Sequence, residues 1–222
     1  MTQNPTSSAS PLPADLIDRY RGWLSSNHAP NADRFRQLAD EGQEPHSMVI
    51  SCCDSRVQPT DLFGASPGEL FMHRSIASLV PSRDAAASGQ TGTAAAVQYA
   101  VQALGIGRIV VIGHSQCGGV KGCHDMCSGA APALEEPGNY VGNWIEILRP
   151  AYGRIKDVAD ESQRLQSFEK EAVKLSLENL LTFDFVKDAV DAGSLTLHGL
   201  WIDIGSGRVE MFDGAKGEFV AA

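Results

Sequence analysis

Two short apolar runs, each passing directly into polar residues that can bind a metal, constrain this chain more than any other feature. The first, Met48-Val49-Ile50-Ser51-Cys52, leads into Cys53-Asp54-Ser55-Arg56. The second, Arg108-Ile109-Val110-Val111-Ile112-Gly113, ends at His114-Ser115-Gln116-Cys117. β-Branched runs this short, with no polar alternation, read as strands hydrophobic on both faces, as in a parallel sheet. Between them, Pro59 to Gly68 reads as a turn and short helix, and Glu69-Leu70-Phe71-Met72-His73-Arg74 as a further strand. Residues 89–105, GQTGTAAAVQYAVQALG, then combine a glycine-rich entry, an alanine-rich helix with Ala94, Val97, Val101 and Leu104 on one stripe, and a glycine stop. Cys-x-Asp and His-x-x-Cys are therefore expected at like ends of two strands, where open parallel α/β sheets carry their sites.

The remaining pattern gives the fold class: α/β, a mostly parallel central sheet flanked by helices, with an N-terminal helical arm and a C-terminal hairpin. Residues 1–14, containing TSSASPLP, read as a flexible segment ahead of a single catalytic domain over 15–222. The arm begins near Asp15 after Pro13, with Leu16, Ile17, Tyr20, Trp23 and Leu24 at helical spacing; Phe35 and Leu38 mark a second short helix before Glu41-Gly42. Residues 123–139, CHDMCSGAAPALEEPGN, have turn composition and no clear period, so a loop is expected there. A helical pattern runs from about Ser167 to Ala192, with room for a break near Phe183 and Phe185, and Gly193 closes it. The tail, Leu195 to Ile204 and Val209 to Phe212 around Gly205-Ser206-Gly207, reads as a hairpin.

Composition removes several classes of function. A length of 222 residues with 43% hydrophobic and 20% charged residues suits one globular core. A formal charge of -9 with no basic block argues against nucleic acid, and no stretch approaches the roughly 18 apolar residues of a membrane span. Five cysteines, two of them adjacent in a strand-like run, cannot all pair within the chain and argue against a disulfide scaffold. A soluble cytoplasmic protein is the simplest reading.

Zinc accepts thiolate, imidazole and carboxylate in a tetrahedral shell, and catalytic sites keep one position for water. Cys52, His114 and Cys117 supply three such ligands, and Gly118 and Gly119 leave the backbone free to wrap an ion. His-x-x-Cys alone also fits a packed histidine and a buried thiol; a strand-end Cys-x-Asp beside it sharpens the metal reading. Asp54 and Arg56, two apart, can form a two-pronged ion pair. That pair either shapes the turn, or decides whether Asp54 ligates zinc or accepts a hydrogen bond from its water. A closed shell of Cys52, Asp54, His114 and Cys117 would make a structural module whose metal only holds the fold.

The stretch MVISCCDSRVQPTDLFGASPGELFMHRSIA, the helix ending QYAVQALG, the run IVVIGHSQCGGV and the tail LTLHGLWIDIGSG resemble the β-class carbonic anhydrases over residues 35 to 213. The resemblance implies reversible hydration of carbon dioxide to bicarbonate and a proton, and one Zn2+ per subunit on Cys52, His114 and Cys117. Asp54 and Arg56 become the catalytic dyad, with Asp54 a conditional fourth ligand. It also implies a homodimer or homotetramer. Gln43 matches a glutamine that can donate to substrate, Phe71 and Tyr99 match aromatic residues of the cleft where subunits meet, and Gly118 matches the glycine beside the second zinc cysteine.

Some positions depart from the family pattern. One subgroup has a tryptophan three residues before the zinc cysteine and a tyrosine in the tail, which support a bicarbonate-triggered inactive state; Val49 and Ile202 stand there in this chain. Ser75 replaces the usual asparagine after Arg74. Cys123-His124-Asp125-Met126-Cys127 either holds a second metal or carries incidental thiols in an exposed loop. His73 is a candidate proton relay by its chemistry. Carbon disulfide or carbonyl sulfide, linear like carbon dioxide, would fit the same cradle.

Cys52→Ser, His114→Ala and Cys117→Ser are each expected to lose most bound zinc and nearly all activity, and Cys53→Ser to lose neither. Zinc analysis of the four purified variants checks this, and equal loss in Cys53→Ser would transfer the ligand role to Cys53.

Overall fold

A computed structural model of the chain describes residues 9–89 and 91–222, so the first eight residues of the expected flexible segment, and Gln90, lie outside the described residues. Two compact units divide the chain, residues 1–43 and 44–222.

In the first unit, Pro13 directly precedes α1 (Ala14–Trp23), its fixed φ and missing N–H costing nothing there. Asp15 in the first turn and Arg21 in the last complement the helix dipole. A wide turn (Leu24–His28) and a tight one (Ala29–Asn31) lead into α2 (Ala32–Glu41), which stops at Gly42 with φ 90°. Trp23, His28 and Phe35 hold the turn together, with ring centroids 5.3, 4.8 and 5.9 Å apart around the cluster. Neither helix has a buried residue.

The second unit is built on a six-stranded sheet, β1 (Ser47–Cys52), β2 (Leu70–Ser75), β3 (Arg108–His114), β4 (Thr196–Ile202), β5 (Val209–Asp213) and β6 (Glu218–Ala221), in the order β2-β1-β3-β4-β5-β6. The first four strands are mutually parallel, and β5 and β6 return antiparallel. Both faces of the parallel part are covered, as its uninterrupted apolar runs require. Met48 and Ile50 of β1 share one core with Ile109 and Val111 of β3, while Val49 and Ile112 face the other side. Fully burying each such side chain contributes on the order of 2 kcal/mol.

The connections place the site. From β1 the chain crosses through the short α3 (Pro59–Leu62) to β2, then through α4 (Arg83–Ala87) and α5 (Thr91–Gln98), extended by a wide turn over Tyr99–Ala103, to β3 on the other side of β1. Strand order therefore reverses between β1 and β3, and the crevice at their carboxyl ends is where such sheets bind ligands. From β3, α6 (Gly118–Cys127), α7 (Tyr140–Ile145), α8 (Arg149–Ile155), α9 (Glu161–Leu180) and α10 (Asp184–Asp191) lead to β4.

Three sequence expectations change. Residues 123–127 are not a loop but the second half of α6: Val120, Cys123 and Met126 recur every third residue and are buried, a period that three glycines and the exposed Lys121 disguise. Cys123 is thus a core thiol, its Sγ 3.8 Å from that of Cys127. The long helical pattern divides at Leu181-Thr182-Phe183 into α9 and α10. The tail hairpin gains a third strand, β6, after a turn that ends at Gly217 with φ 73°.

α9 lies close against β3 and β4 because both strands carry a glycine where it crosses. A Cβ on Gly113 would fall 2.5 Å from Val173 Cγ2, and one on Gly199 2.9 Å from Val173 Cγ1. Gly113→Ala is therefore expected to destabilise the protein by about 1–3 kcal/mol, since Val173 is short and branched and cannot move aside. Val173→Ala opens that space, so the double variant should lose less than the sum of the singles in urea unfolding; strict additivity would contradict this contact.

Candidate metal centre

Cys52 ends β1 and His114 ends β3, and the pairing of Ser51 with Ile112 brings these ends side by side. The third group arrives through a turn at Ser115 and Gln116. Gln116 has φ 57°, a left-handed conformation costing roughly 1–2 kcal/mol in a residue with a Cβ. That turn sets Cys117 at the N-cap of α6. The Sγ atoms of Cys52 and Cys117 and a ring nitrogen of His114 all lie within 4.8 Å of one another, and all three residues are buried.

This donor set fits zinc on two observations. First, His114 Nδ1 lies 2.9 Å from the Ser115 carbonyl oxygen, which can only accept, so Nδ1 carries the proton and Nε2 presents a lone pair. That Nε2 is buried without a hydrogen-bond partner, a cost a metal would relieve. Second, the two thiols cannot both ionise unaided. A hydrogen bond from Cys117 draws the Cys52 thiol down to about 4 against the opposing effect of burial, with His114 and the backbone at Asp54 and Ala77 assisting. Cys117 is pushed far up by its hydrogen bond to that thiolate and by its own burial, although the Val120 and Gly119 N–H groups favour its charged form. The pair therefore holds one proton that a divalent cation would displace. Burial resists protonation of His114, but Cys52, the Ser115 carbonyl and Asp54 outweigh it and raise its pKa.

Asp54 stands at the edge of the cluster, Oδ2 4.0 Å from His114 Nε2. Its carboxylate is gripped from one side: Arg56 Nε donates to Oδ1 at 2.9 Å, Nη2 to Oδ2 at 2.7 Å, and the Arg56 N–H to Oδ1 at 2.9 Å. The Arg56 side chain, opposed by partial burial, holds the Asp54 carboxyl well below the usual carboxylate range. Arg56 Nη2 also donates to the Gln116 carbonyl at 3.2 Å, tying the two metal-binding loops together. Cys53 is exposed, whereas Cys52 beside it is buried in the cluster.

Sequence reasoning missed three supports of this geometry. Arg74 pins the loop after β1, donating to the carbonyls of Cys52 at 2.9 Å and of Asp54 and Val57 at 2.8 Å. A lone arginine ending a strand gave no signal of this. The segment after β2 carries two consecutive left-handed residues without glycine, Ala77 (φ 60°) and Ser78 (φ 59°). It is held by the Ser78 hydroxyl donating to the Ile112 carbonyl and the Ser176 hydroxyl donating to that of Ser78, and it delivers the Ala77 N–H to Cys52 Sγ at 3.3 Å. Glu169 of α9 is the third, buried and accepting from the Cys117 N–H at 3.3 Å.

Of the other expected site residues, Phe71 and Tyr99 lie apart from the cluster. Phe71 and Tyr99 meet each other, centroids 5.8 Å apart, with Tyr99 51% exposed. Phe71 pairs with Met48, four residues before the Cys52–Ser75 pair and so about 13 Å along the sheet. Gly118 opens α6, and a Cβ there would meet nothing within 4 Å. Gln43 is the last residue of the first unit and is exposed. His73 is tied to Thr93 Oγ1 at 3.0 Å and burial lowers its pKa. Of the residues in the tail and strand that depart from the subgroup pattern, Val49 is fully buried and Ile202 pairs with Val209.

Comparison with known proteins shows the family. The sequence profile of the carbonic anhydrase family matches residues 47–209. β-Carbonic anhydrase 3 of Arabidopsis thaliana is 36% identical over 207 residues, covering 90% of this chain and 78% of its own length. The chain belongs to the β-carbonic anhydrase family. It catalyses the zinc-dependent, reversible hydration of carbon dioxide to bicarbonate and a proton. β-Carbonic anhydrase 5 of the same plant, a chloroplastic protein, is 35% identical over 83% of this chain and 60% of its own. Among solved structures, the β-carbonic anhydrase CcaA superposes with a TM-score of 0.84 at 30% identity over 94% of this chain and 91% of its own. A tetrameric β-carbonic anhydrase of Sordaria macrospora gives 0.75 at 27% identity over 93% and 98%. No described helix is long and apolar enough to cross a membrane.

The approach to Cys52 of the strap after β2, Ile76–Ser78, depends on Gly119 rather than Gly118. A Cβ on Gly119 would fall 2.6 Å from Ile76 Cγ2 and 3.0 Å from Ala77 Cβ. Gly119→Ala should push the Ala77 N–H off the thiolate and weaken zinc binding several-fold while circular dichroism stays native; chelator competition measures it, and unchanged zinc affinity would contradict the role of the strap.

Proposed function

We propose that this carbonic anhydrase holds its zinc on Cys52, His114 and Cys117 and uses Asp54 and Arg56 as a catalytic pair, with Arg56 keeping the carboxylate off the metal. The observation that carries this reading is the two-pronged Arg56–Asp54 pair beside the buried, unpartnered Nε2 of His114. When bound, zinc supplies a Lewis acid that makes water nucleophilic at about neutral pH. Asp54 is ionised across the working range, and Arg56 occupies one side of both its oxygens, so the remaining lone pairs face the metal centre. There they can accept a hydrogen bond from the attacking water and orient it toward carbon dioxide. The same grip favours the open zinc shell over one closed by Asp54, which sets an enzyme apart from a structural module.

The substrate wall is assigned to a neighbouring subunit. The exposed Tyr99 packs on the half-buried Phe71, remote from their own chain's cluster, so this pair would line a cleft in a two-fold dimer and not its own site. A homodimer, or a homotetramer as in the Sordaria macrospora relative, is the assembly proposed. Gln43 would donate its side-chain N–H to bicarbonate, and Gly118 would border the pocket beside Cys117. Five free cysteines suit a reducing compartment, and the cytoplasm is the one proposed.

A pH-drop assay driven by carbon dioxide should show turnover that a zinc chelator abolishes and added zinc restores. Arg56→Ala should keep near-full zinc content and lose at least about a hundredfold in rate, the lower end of general acid–base contributions, as Asp54 swings toward the metal. A fully active, zinc-loaded Arg56→Ala would overturn the role given to the pair.

A further inference from the structure

We propose that Glu169 is a positioning residue for the metal centre: its buried carboxylate holds the His114–Cys117 turn in the geometry that aims Cys117 at Cys52 and His114. It rests on the assignment of Cys117 as a ligand, which the zinc content of Cys117→Ser tests separately.

Glu169 is only 6% exposed, on the side of α9 that crosses β3 and β4. Acidic residues are almost never so buried unless their charge is met. Among the described residues no lysine or arginine pairs with it; N–H groups meet its charge instead. Oε1 accepts from the Cys117 N–H at 3.3 Å, Oε2 accepts from Trp201 Nε1 at 3.1 Å, and the Gln116 N–H adds a further donor. Two of these three donors belong to the turn between the metal-binding residues of β3 and α6. The third anchors the carboxylate to β4, where Lys170 Nζ lies 4.8 Å over the Trp201 ring.

The turn needs such a hold. Gln116 is left-handed without being glycine, and a residue in that conformation stays there only when its surroundings fix it. Arg56 fixes the Gln116 carbonyl from the solvent side, and Glu169 fixes the Gln116 and Cys117 N–H groups from within. Both peptide ends of the turn are thereby clamped by side chains of opposite charge on opposite sides. Cys117 follows at the N-cap of α6, so a small rotation of the turn would carry its Sγ out of the cluster.

The chemistry of the donors explains why glutamate is required. A carboxylate accepts through both oxygens, whereas a carboxamide has one accepting oxygen and turns its N–H groups against whichever donor lies opposite. Glu169→Gln keeps the volume but sets N–H against N–H at either Trp201 or the turn. Partners of ligand residues of this kind are worth about 10–100-fold in metal affinity.

The test uses the full-length, zinc-loaded protein. Glu169→Gln is expected to bind zinc about 10–100-fold more weakly in chelator competition, and its cobalt-substituted form should show an altered visible spectrum, which reports ligand geometry directly. Trp201→Phe in the same background removes the opposing N–H, so it should recover part of both. Leu180→Ala, buried at the far end of α9, should lose thermal stability without either change. If Glu169→Gln fails to fold, Glu169→Asp carries the same readouts, with an intermediate loss of affinity and a shifted spectrum expected. Native zinc affinity and cobalt spectrum in the folded Glu169 variants, or equal changes in Leu180→Ala, would reduce Glu169 to a general stabiliser of the core and overturn the proposal.

Discussion

The parallel pairing of β1 with β3 is the constraint on which the centre depends. Because the two strands run the same way and their register is fixed by cores on both faces, their carboxyl ends stop together, leaving Cys52 and His114 side by side. A slip of one residue in either strand would turn its ligand side chain to the opposite face of the sheet. Cys117 then needs only a three-residue reach from His114, taken by one left-handed turn. Gathering two thiols and an imidazole in a buried crevice is unfavourable in itself, since one thiolate suppresses the other. A divalent cation resolves that conflict, so part of the binding energy of the metal acts as folding energy.

Around this centre the charged groups act by placement more than by strength. Arg56 is exposed, and an ion pair so open to solvent contributes little to stability. Its effect is to fix which way the Asp54 carboxylate faces. Arg74 does the same for the backbone after Cys52, tying down three carbonyls that would otherwise let the loop move. Ala77 and Ser78 store strain beside the metal centre, and their tethers to β3 and α9 hold it there. Asp54 is thereby held toward Arg56, the position that the proposed open zinc shell requires.

Much of this was legible in the sequence, because the strands that carry the ligands are the ones with the plainest pattern. Met48 to Cys52 and Arg108 to His114 are uninterrupted apolar runs, and the ligand residues follow them at once. The parallel sheet, the crossover helix and the tail hairpin follow from the same patterning. What escaped depends on contacts between residues distant in sequence. Nothing near Glu169 indicates that its carboxylate reaches Cys117, 52 positions away. Arg74 resembled any strand-end arginine, and Ala77 and Ser78 carry no glycine to mark a left-handed bend. In α6, residues 123–127 had turn composition and hid the buried period of Val120, Cys123 and Met126, and Gly119, read as freedom to wrap an ion, lets the segment after β2 approach. Phe71 and Tyr99 lie on the expected elements, remote from their own chain's cluster, and it is the proposed dimer cleft that would give them a site to serve.

The central claim is that Cys52, Cys117 and His114, and no other cysteine, hold the zinc in the resting enzyme. X-ray absorption at the zinc edge of the wild-type protein at neutral pH tests it most directly. The account predicts two sulfur ligands and a single imidazole in the zinc shell. A shell with three sulfurs, with one sulfur, or with no imidazole would contradict it.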